Sequence, residues 1–396
     1  MIASRVGRFG FVFLPMLLAA GYAGCSDDDP AVTPATDDGG TADGAPTGDS
    51  GKGDGGSGID PKCAADLDVT KLYKHLSCAG MYSNIADKTL APELMEYKPS
   101  TEFWSDGAEK RRWILLPAGA KIDTADMNDW VFPVGTKVFK EFKINGKRIE
   151  TRMFQKFDDE WKNTTYLWKA DESDAEHLEA GAQLNGLGPD GGVYEIPNTT
   201  SCTADCHGGR KDSLLGFDAV SLGLPNATGL TLAQLVDKKL LTVDPPIKTL
   251  AYPTATAAQG GDKAGPAMAW LHINCGSACH NSNPNAGAFF TGLFMQIKGT
   301  QLMPQDGGSP ATVDALDPYS LTVCKKSNQN ETPPNTGVMK YVRSGVPSRS
   351  WISVISGQRT PVASVQMPPV ATHAVDVNGH KLLEDWITAL TPACAD

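Results

Sequence analysis

Lys137-Val-Phe-Lys-Glu-Phe-Lys-Ile-Asn-Gly-Lys-Arg-Ile-Glu-Thr-Arg-Met-Phe-Gln-Lys-Phe157 is the stretch that decides the fold class. Asn145-Gly146 lies between two runs in which apolar and polar side chains are interleaved. Both residues tolerate positive φ, as a tight hairpin turn demands. The spacing predicts antiparallel strands over 137–144 and 147–157. Glu150 and Arg152 alternate with Thr151 and Met153, a pattern of one wet face and one packed face. Outward from the hairpin, Arg112-Trp-Ile-Leu-Leu116 is a compact apolar run, and Trp130-Val-Phe-Pro-Val-Gly-Thr136 leads into the first strand. Residues 161–169 form another strand, with Tyr166 and Trp168 on one face. Residues 101–200 are therefore expected to form a β-rich module, sandwich-like or half-barrel.

The flanks change texture. Val69, Leu72, Tyr73 and Leu76 have the spacing of a short amphipathic helix, with Cys63 and Cys78 at its ends. Leu232, Leu235, Val236 and Leu240 form a helical stripe after Thr231. Met268, Leu271, His272, Cys275 and Cys279 lie at near-helical spacing. Leu382, Leu383, Trp386, Ile387 and Leu390 predict a C-terminal helix with Asn378 as N-cap. Residues 281–337 form a long, turn-rich insertion. The fold class is multidomain α+β: a β-rich, sandwich-like N-terminal module followed by mainly helical modules. The divisions fall at 61–100, 101–200, 201–260 and 261–396.

Residues 1–25 read as an export signal. Arg5 and Arg8 precede an apolar run over 9–20 that is short for a membrane span. Ala23 and Gly24 before Cys25 match a bacterial lipoprotein signal, in which the cysteine is acylated and anchors the chain. Residues 26–60 carry nine Asp and one Lys and almost nothing to bury, so a disordered tether is expected. The remaining chain is mildly acidic, which argues against nucleic acid as a partner. Ser26 lacks the Asp that would signal inner-membrane retention, so the outer membrane is favoured.

Of nine cysteines, four fall in two clusters: Cys202-Thr-Ala-Asp-Cys206-His207 and Cys275-Gly-Ser-Ala-Cys279-His280. Two thiols followed by a histidine is the pattern of covalent heme attachment, with the imidazole as proximal iron ligand. The usual spacer is two residues and here it is three. A local disulfide or a metal site is the plainer alternative, although zinc wants four ligands and each cluster offers three. In an oxidising compartment the natural pairs among the other cysteines are Cys63–Cys78 and Cys324–Cys394, while spacing leaves the connectivity open.

Gln366-Met367-Pro368-Pro369 offers a thioether on a Pro-stiffened loop, a candidate second ligand for the heme at His280. Met303 is its competitor. Met268, His272, His177 and Met153 are the candidates at the first heme, each also readable as structural. Trp104-Ser105-Asp106-Gly107, with Lys110, Arg111 and Arg112, reads as a turn and a solvated basic strand start, with a ligand site as the alternative. No nucleophile–base pair, phosphate loop or paired-carboxylate arrangement stands out.

Together these segments resemble secreted diheme c-type cytochromes with a β-rich N-terminal region, many of them lipoproteins. The resemblance runs over 72–390. It rests on Trp104-Ser-Asp-Gly107, Phe132-Pro-Val-Gly-Thr136, Glu150-Thr-Arg152, Tyr166-Leu-Trp168 and Ile196-Pro197. It continues through Leu215-Gly-Phe-Asp218, Leu271-His-Ile-Asn-Cys275 and Met367-Pro-Pro369. It implies cytochrome c-like helical segments, two covalent hemes c, and electron transfer with redox partner proteins of the cell envelope. Members typically carry the two-residue spacer. A diheme oxidoreductase of peroxidase type and a heme-free, disulfide-stapled surface binding protein are the rival expectations.

Overall fold

The computed structural model describes residues 61–68, 70–158, 160–303, 311–327, 340–360 and 366–395. The export signal, Cys25 and the 26–60 tether lie outside them. In chain order the strands are β1 (Tyr82–Asn84), β2 (Thr89–Leu90), β3 (Met95–Lys98), β4 (Glu109–Leu115), β5 (Lys137–Ile144) and β6 (Lys147–Phe157). They continue as β7 (Glu160–Trp168), β8 (Ala175–Leu178), β9 (Ala182–Asn185), β10 (Val193–Ile196) and β11 (Thr228–Gly229). The helices are α1 (Pro61–Ala64), α2 (Thr199–Ser201), α3 (Ala219–Gly223), α4 (Leu232–Asp237), α5 (Ala264–Leu271), α6 (Gly299–Leu302), α7 (Asp317–Ser320), α8 (Trp351–Ser356) and α9 (Val377–Ala389).

The hairpin forms where the sequence places it. Asn145 and Gly146 turn at φ 51° and 77°, and β5 and β6 pair with Phe142 opposite Glu150 and Lys140 opposite Arg152. They sit in one seven-stranded antiparallel sheet of order β11-β3-β4-β5-β6-β7-β8. Two smaller antiparallel pairs, β1–β2 and β9–β10, accompany it, and Tyr194 and Ile196 of β10 pack against Phe142 and Ile149 of the large sheet.

One face carries Trp113, Phe139, Met153, Tyr166 and Trp168, packed against Leu72, Leu76 and Met81 of the N-terminal segment. The other carries Ile114, Val138 and Phe154 and meets the main core, which includes Phe217, Leu271 and Trp386. Full burial of each large side chain contributes about 1.5–3 kcal/mol. The expected wet face is thus covered as well: Glu150 on it is 0% exposed, like Thr151 and Met153 on the packed face. The charges on it are tolerated because they are paired, Arg152 holding Glu150 through two hydrogen bonds of 2.8 and 2.7 Å.

The helix expected over 66–78 does not form. Asp68 Oδ1 accepts the N–H groups of Thr70 (2.7 Å) and Leu72 (3.1 Å), and Asp66 accepts that of His75 (2.9 Å). Such side-chain acceptors compete with the helical backbone ladder. The segment is an irregular strap closed by the Cys63–Cys78 disulfide, Cα–Cα 5.5 Å. The Cys324–Cys394 disulfide closes the C-terminal end. Thr231 caps α4 as its stripe predicts. The cap of α9 is Asp376, accepting from Gly379 N–H, and not Asn378, which lies inside the helix. The main core draws on β3 through α9, and residues 58–396 cluster as one compact unit. The segments separable in sequence are therefore parts of one body.

Candidate functional site: two cysteine–histidine turns

Asn198 starts the first turn by accepting the Ser201 N–H at 2.8 Å, and α2 then widens into a π-helical turn over Cys202–His207. The second turn continues α5, which widens into a π turn over His272–Gly276. Ser277 N–H donates to His272 C=O at 2.7 Å, and His280 N–H to Cys275 C=O at 2.9 Å. Both bonds span five residues, where an α-helix spans four. A π turn takes in one residue more than an α turn. Cys275 and His280 therefore stand one backbone hydrogen bond apart, the relation that a two-residue spacer gives in an α turn. The extra spacer residue is absorbed by the wide turn.

Each histidine is oriented from behind. His207 Nδ1 lies 2.6 Å from Ser213 C=O, and His280 Nδ1 lies 3.1 Å from Leu293 C=O. A carbonyl only accepts, so Nδ1 carries the proton and Nε2 keeps its lone pair. A backbone carbonyl behind the ring is the usual support of a metal-binding imidazole. Burial pushes His207 down to about 4 and His280 below its ordinary value, with the carbonyl bonds opposing in part, so both rings are neutral at pH 7. Cys202, Cys206, Cys275 and Cys279 form no disulfide. Burial pushes the Cys275 thiol up to about 12 and raises that of Cys202.

The two turns abut. A Cβ on Gly209 would lie 2.0 Å from the Ala278 carbonyl oxygen, so only a glycine two residues after His207 lets the first motif reach the residue before Cys279. Gly276 is equally constrained, its hypothetical Cβ falling 2.3 Å from Gln296 N. The loop after His207 is clasped to the sheet by Asp212. That buried carboxylate accepts from Lys156 Nζ (2.7 and 2.8 Å) and Trp161 Nε1 (2.7 Å). The His207 ring rests on Phe154, centroids 4.3 Å apart. None of Gly209, Asp212, Ser213 and Phe154 stood out in sequence, because each acts through a partner distant in the chain.

Among the described residues, the sole group of three or more Cys, His, Asp and Glu side chains within 4.8 Å of one another is Asp68, His177 and Glu179. Neither cysteine–histidine motif gathers its side chains into a chelate. Each motif offers two sulfurs and one nitrogen at separated points, a set that covalent heme could take up.

Met367 is half-buried on the main core, as is Cys275. Its N–H donates to Ile355 C=O at 2.8 Å and its carbonyl accepts from Arg359 at 3.2 Å. Met303 and Met268 are buried in that core. Met153 lies on the opposite sheet face from Phe154 and His207. His177 Nδ1 meets Asp68 at 3.2 Å, and His272 Nδ1 accepts the Ile297 N–H at 3.0 Å.

Trp104-Ser-Asp-Gly107 is a clasp for the segment after the Met367 loop. Asp106 accepts the N–H groups of His373 (2.9 Å) and Ala374 (3.0 Å), and Trp104 Nε1 donates to Ala374 C=O at 2.8 Å. The basic start of the strand that follows is solvated only in part: Arg111 is exposed and pairs with Glu96 at 2.6 Å, whereas Arg112 is 4% exposed and bonds Glu102 at 2.9 Å. A cavity of about 540 Å³ opens beside that loop, lined by Glu195, Arg359, Gln366, Pro369 and His373 among others. A second, of about 410 Å³, reaches the first motif at Thr203. Both have the size of small-molecule sites. No helix among the described residues is long and apolar enough to cross a membrane. Comparison with protein-family models, curated proteins and solved structures gives no match.

Proposed function

We propose that this chain is an exported, lipid-anchored diheme c-type cytochrome that carries electrons in the cell envelope. One observation supports it above the rest. Two segments far apart in sequence repeat one arrangement: thiols outside any disulfide on a wide turn, then a neutral histidine with Nδ1–H tied to a backbone carbonyl. A lone motif of this kind is weak evidence, and the same carbonyl support behind both rings strengthens it.

Cys202 and Cys206 would hold one heme and Cys275 and Cys279 the other. Each thiol would add across a vinyl group, sulfur bonding one carbon and the proton going to its neighbour. His207 and His280 supply Nε2. Heme c provides one-electron chemistry, and the protein contributes orientation, burial and contact between the two sites. Met367, on its pinned loop, is the second ligand proposed for the heme at His280. The resemblance to diheme lipoprotein cytochromes accords with this. The proposal extends to an anchor at Cys25, an outer-membrane position facing periplasm or cell surface, and redox proteins as partners with no role for nucleic acid.

A second reading is favoured by one set of facts. Of the four candidate sixth ligands at the first heme, Met153 faces away, His177 and His272 are held by other groups and Met268 is core. An open first heme would make the protein a diheme oxidoreductase of peroxidase type. Potentiometric titration of loaded protein tests both. The electron carrier gives two reversible one-electron steps, and Met367→Ala leaves both hemes attached while lowering one potential. An unchanged potential removes Met367 from the iron. A high-spin heme that binds cyanide and turns over peroxide supports the oxidoreductase.

A further inference from the structure

The sheet face that meets the first motif carries an arrangement that packing alone does not explain. Arg112 on β4 lies directly opposite Lys140 on β5, and Lys140 directly opposite Arg152 on β6. Three cations stand side by side across three strands. Like charges facing each other across a ladder are destabilising. Lys110 stands two residues from Arg112 on the same face.

Only two carboxylates answer these four cations directly. Glu102 takes Arg112, and Glu150 takes Arg152. Glu102 is shared with Lys98 at 3.1 Å, and Glu150 also accepts Tyr194 Oη–H at 2.7 Å. Lys110 donates to Phe103 C=O at 2.7 Å and feels Glu102 and Asp376, but forms no ion pair with a described carboxylate. Lys140 lies over the faces of Phe103 and Phe142, 5.7 and 4.8 Å from its Nζ, and feels Glu150 without an ion pair to it among the described residues. Burial and the three neighbouring cations push Lys140 well below its ordinary range. Of the four basic side chains on this face, Lys110 and Lys140 form no ion pair with a described carboxylate.

Their place is specific. The next row along the same face is Ile114, Val138 and Phe154, about 7 Å away at two residues per step. Phe154 is the ring beneath His207. We infer that the row Arg112–Lys140–Arg152, with Lys110, seats two carboxylates, the propionates of a porphyrin held at Cys202, Cys206 and His207. The inference rests on the heme reading of that site and adds which way the porphyrin lies: its acidic edge on the sheet, over Lys140.

Iron mesoporphyrin, which has no vinyl groups to attach, and its dimethyl ester separate the two ideas. Both are titrated into full-length apo-protein carrying His280→Ala, so that ligation reports the first site. The diacid should bind about ten- to a hundredfold tighter than the ester, the range of charge-assisted contacts. Lys140→Met should abolish most of that preference and leave ester binding unchanged. It should also keep or raise the thermal midpoint of the apo-protein, since it removes a buried cation facing two others. Equal binding of diacid and ester in the parent protein, or a preference that survives Lys140→Met and Lys110→Met together, overturns the inference while the heme site stands. Binding of neither porphyrin, with succinate bound in a Lys140-dependent way, assigns the row to free carboxylates and overturns both.

Discussion

The first and second cysteine–histidine turns are built alike at the site and differently behind it. In the second, the turn continues α5, a helix buried along most of its length. The loop that brings Leu293 behind His280 is tied back locally, Met295 N–H to His280 C=O at 2.7 Å and Ala288 N–H to Cys279 C=O at 3.1 Å. In the first, the carbonyl behind His207 belongs to Ser213, next to Asp212, whose buried pairing with Lys156 and Trp161 reaches across to the sheet. The second is held by backbone bonds close in sequence, the first by one charged clasp and a charged sheet face. The same ligand geometry can thus be reached by two supports, and the two should fail differently.

Asp212→Ala should have the largest effect. It leaves Lys156 buried without its partner, a change that costs about 3–5 kcal/mol, and it frees the loop carrying Ser213. Denaturant unfolding should show the loss, and heme retention should fall at the first motif and not at the second. Equal loss at both would mean that the supports are not separate. Next comes Gly209→Val, which forces carbon into the Ala278 carbonyl and should cost about 1–3 kcal/mol while slowing electron exchange between the sites. Gly208→Ala is its control, since an added Cβ there meets nothing closer than 3.3 Å.

Shortening the spacers sharpens the contrast. Deleting Thr203 should convert the exposed first turn to an ordinary two-residue spacer with heme attachment kept and stability changed by no more than about 0.5 kcal/mol. Deleting Ala278 shifts a backbone packed against Gly209 and should cost more, on the order of 1–3 kcal/mol. Similar costs at both would refute the difference in packing. A further effect is on pH. His207 is held at about 4 in the folded chain against 6.5 unfolded. The folded state then binds fewer protons below pH 6.5, so stability is full above that value and declines as pH falls toward 4. His207→Gln should flatten that part of the apo-protein profile.

Much of this was legible in the chain. The Asn145-Gly146 hairpin and the helix after Thr231 follow from local chemistry, and the structure has them. The pairs Cys63–Cys78 and Cys324–Cys394 were the natural ones in an oxidising compartment, and the structure forms both, although spacing left the connectivity open. The helix over 66–78 was misread because Asp66 and Asp68 offer better local acceptors than the spacing of Leu72 and Leu76 reveals. The wet face at Glu150 and Arg152 was misread because alternation reports polarity, and here the polar row is buried beneath the first motif. The π turns were invisible, since nothing in residue preference separates a wide turn from an α turn. They appear only as an extra residue in a known spacing.

The central claim is that both three-residue spacers hold heme. A pyridine hemochrome spectrum with intact mass, on full-length protein co-expressed with heme-attachment machinery, tests it directly. The account predicts a c-type α-band and a mass gain of two hemes, falling to one when Cys275 and Cys279 are both replaced by alanine. No heme, with Cys202, Cys206, Cys275 and Cys279 recovered as disulfides, would contradict it and leave a disulfide-stapled surface binding protein.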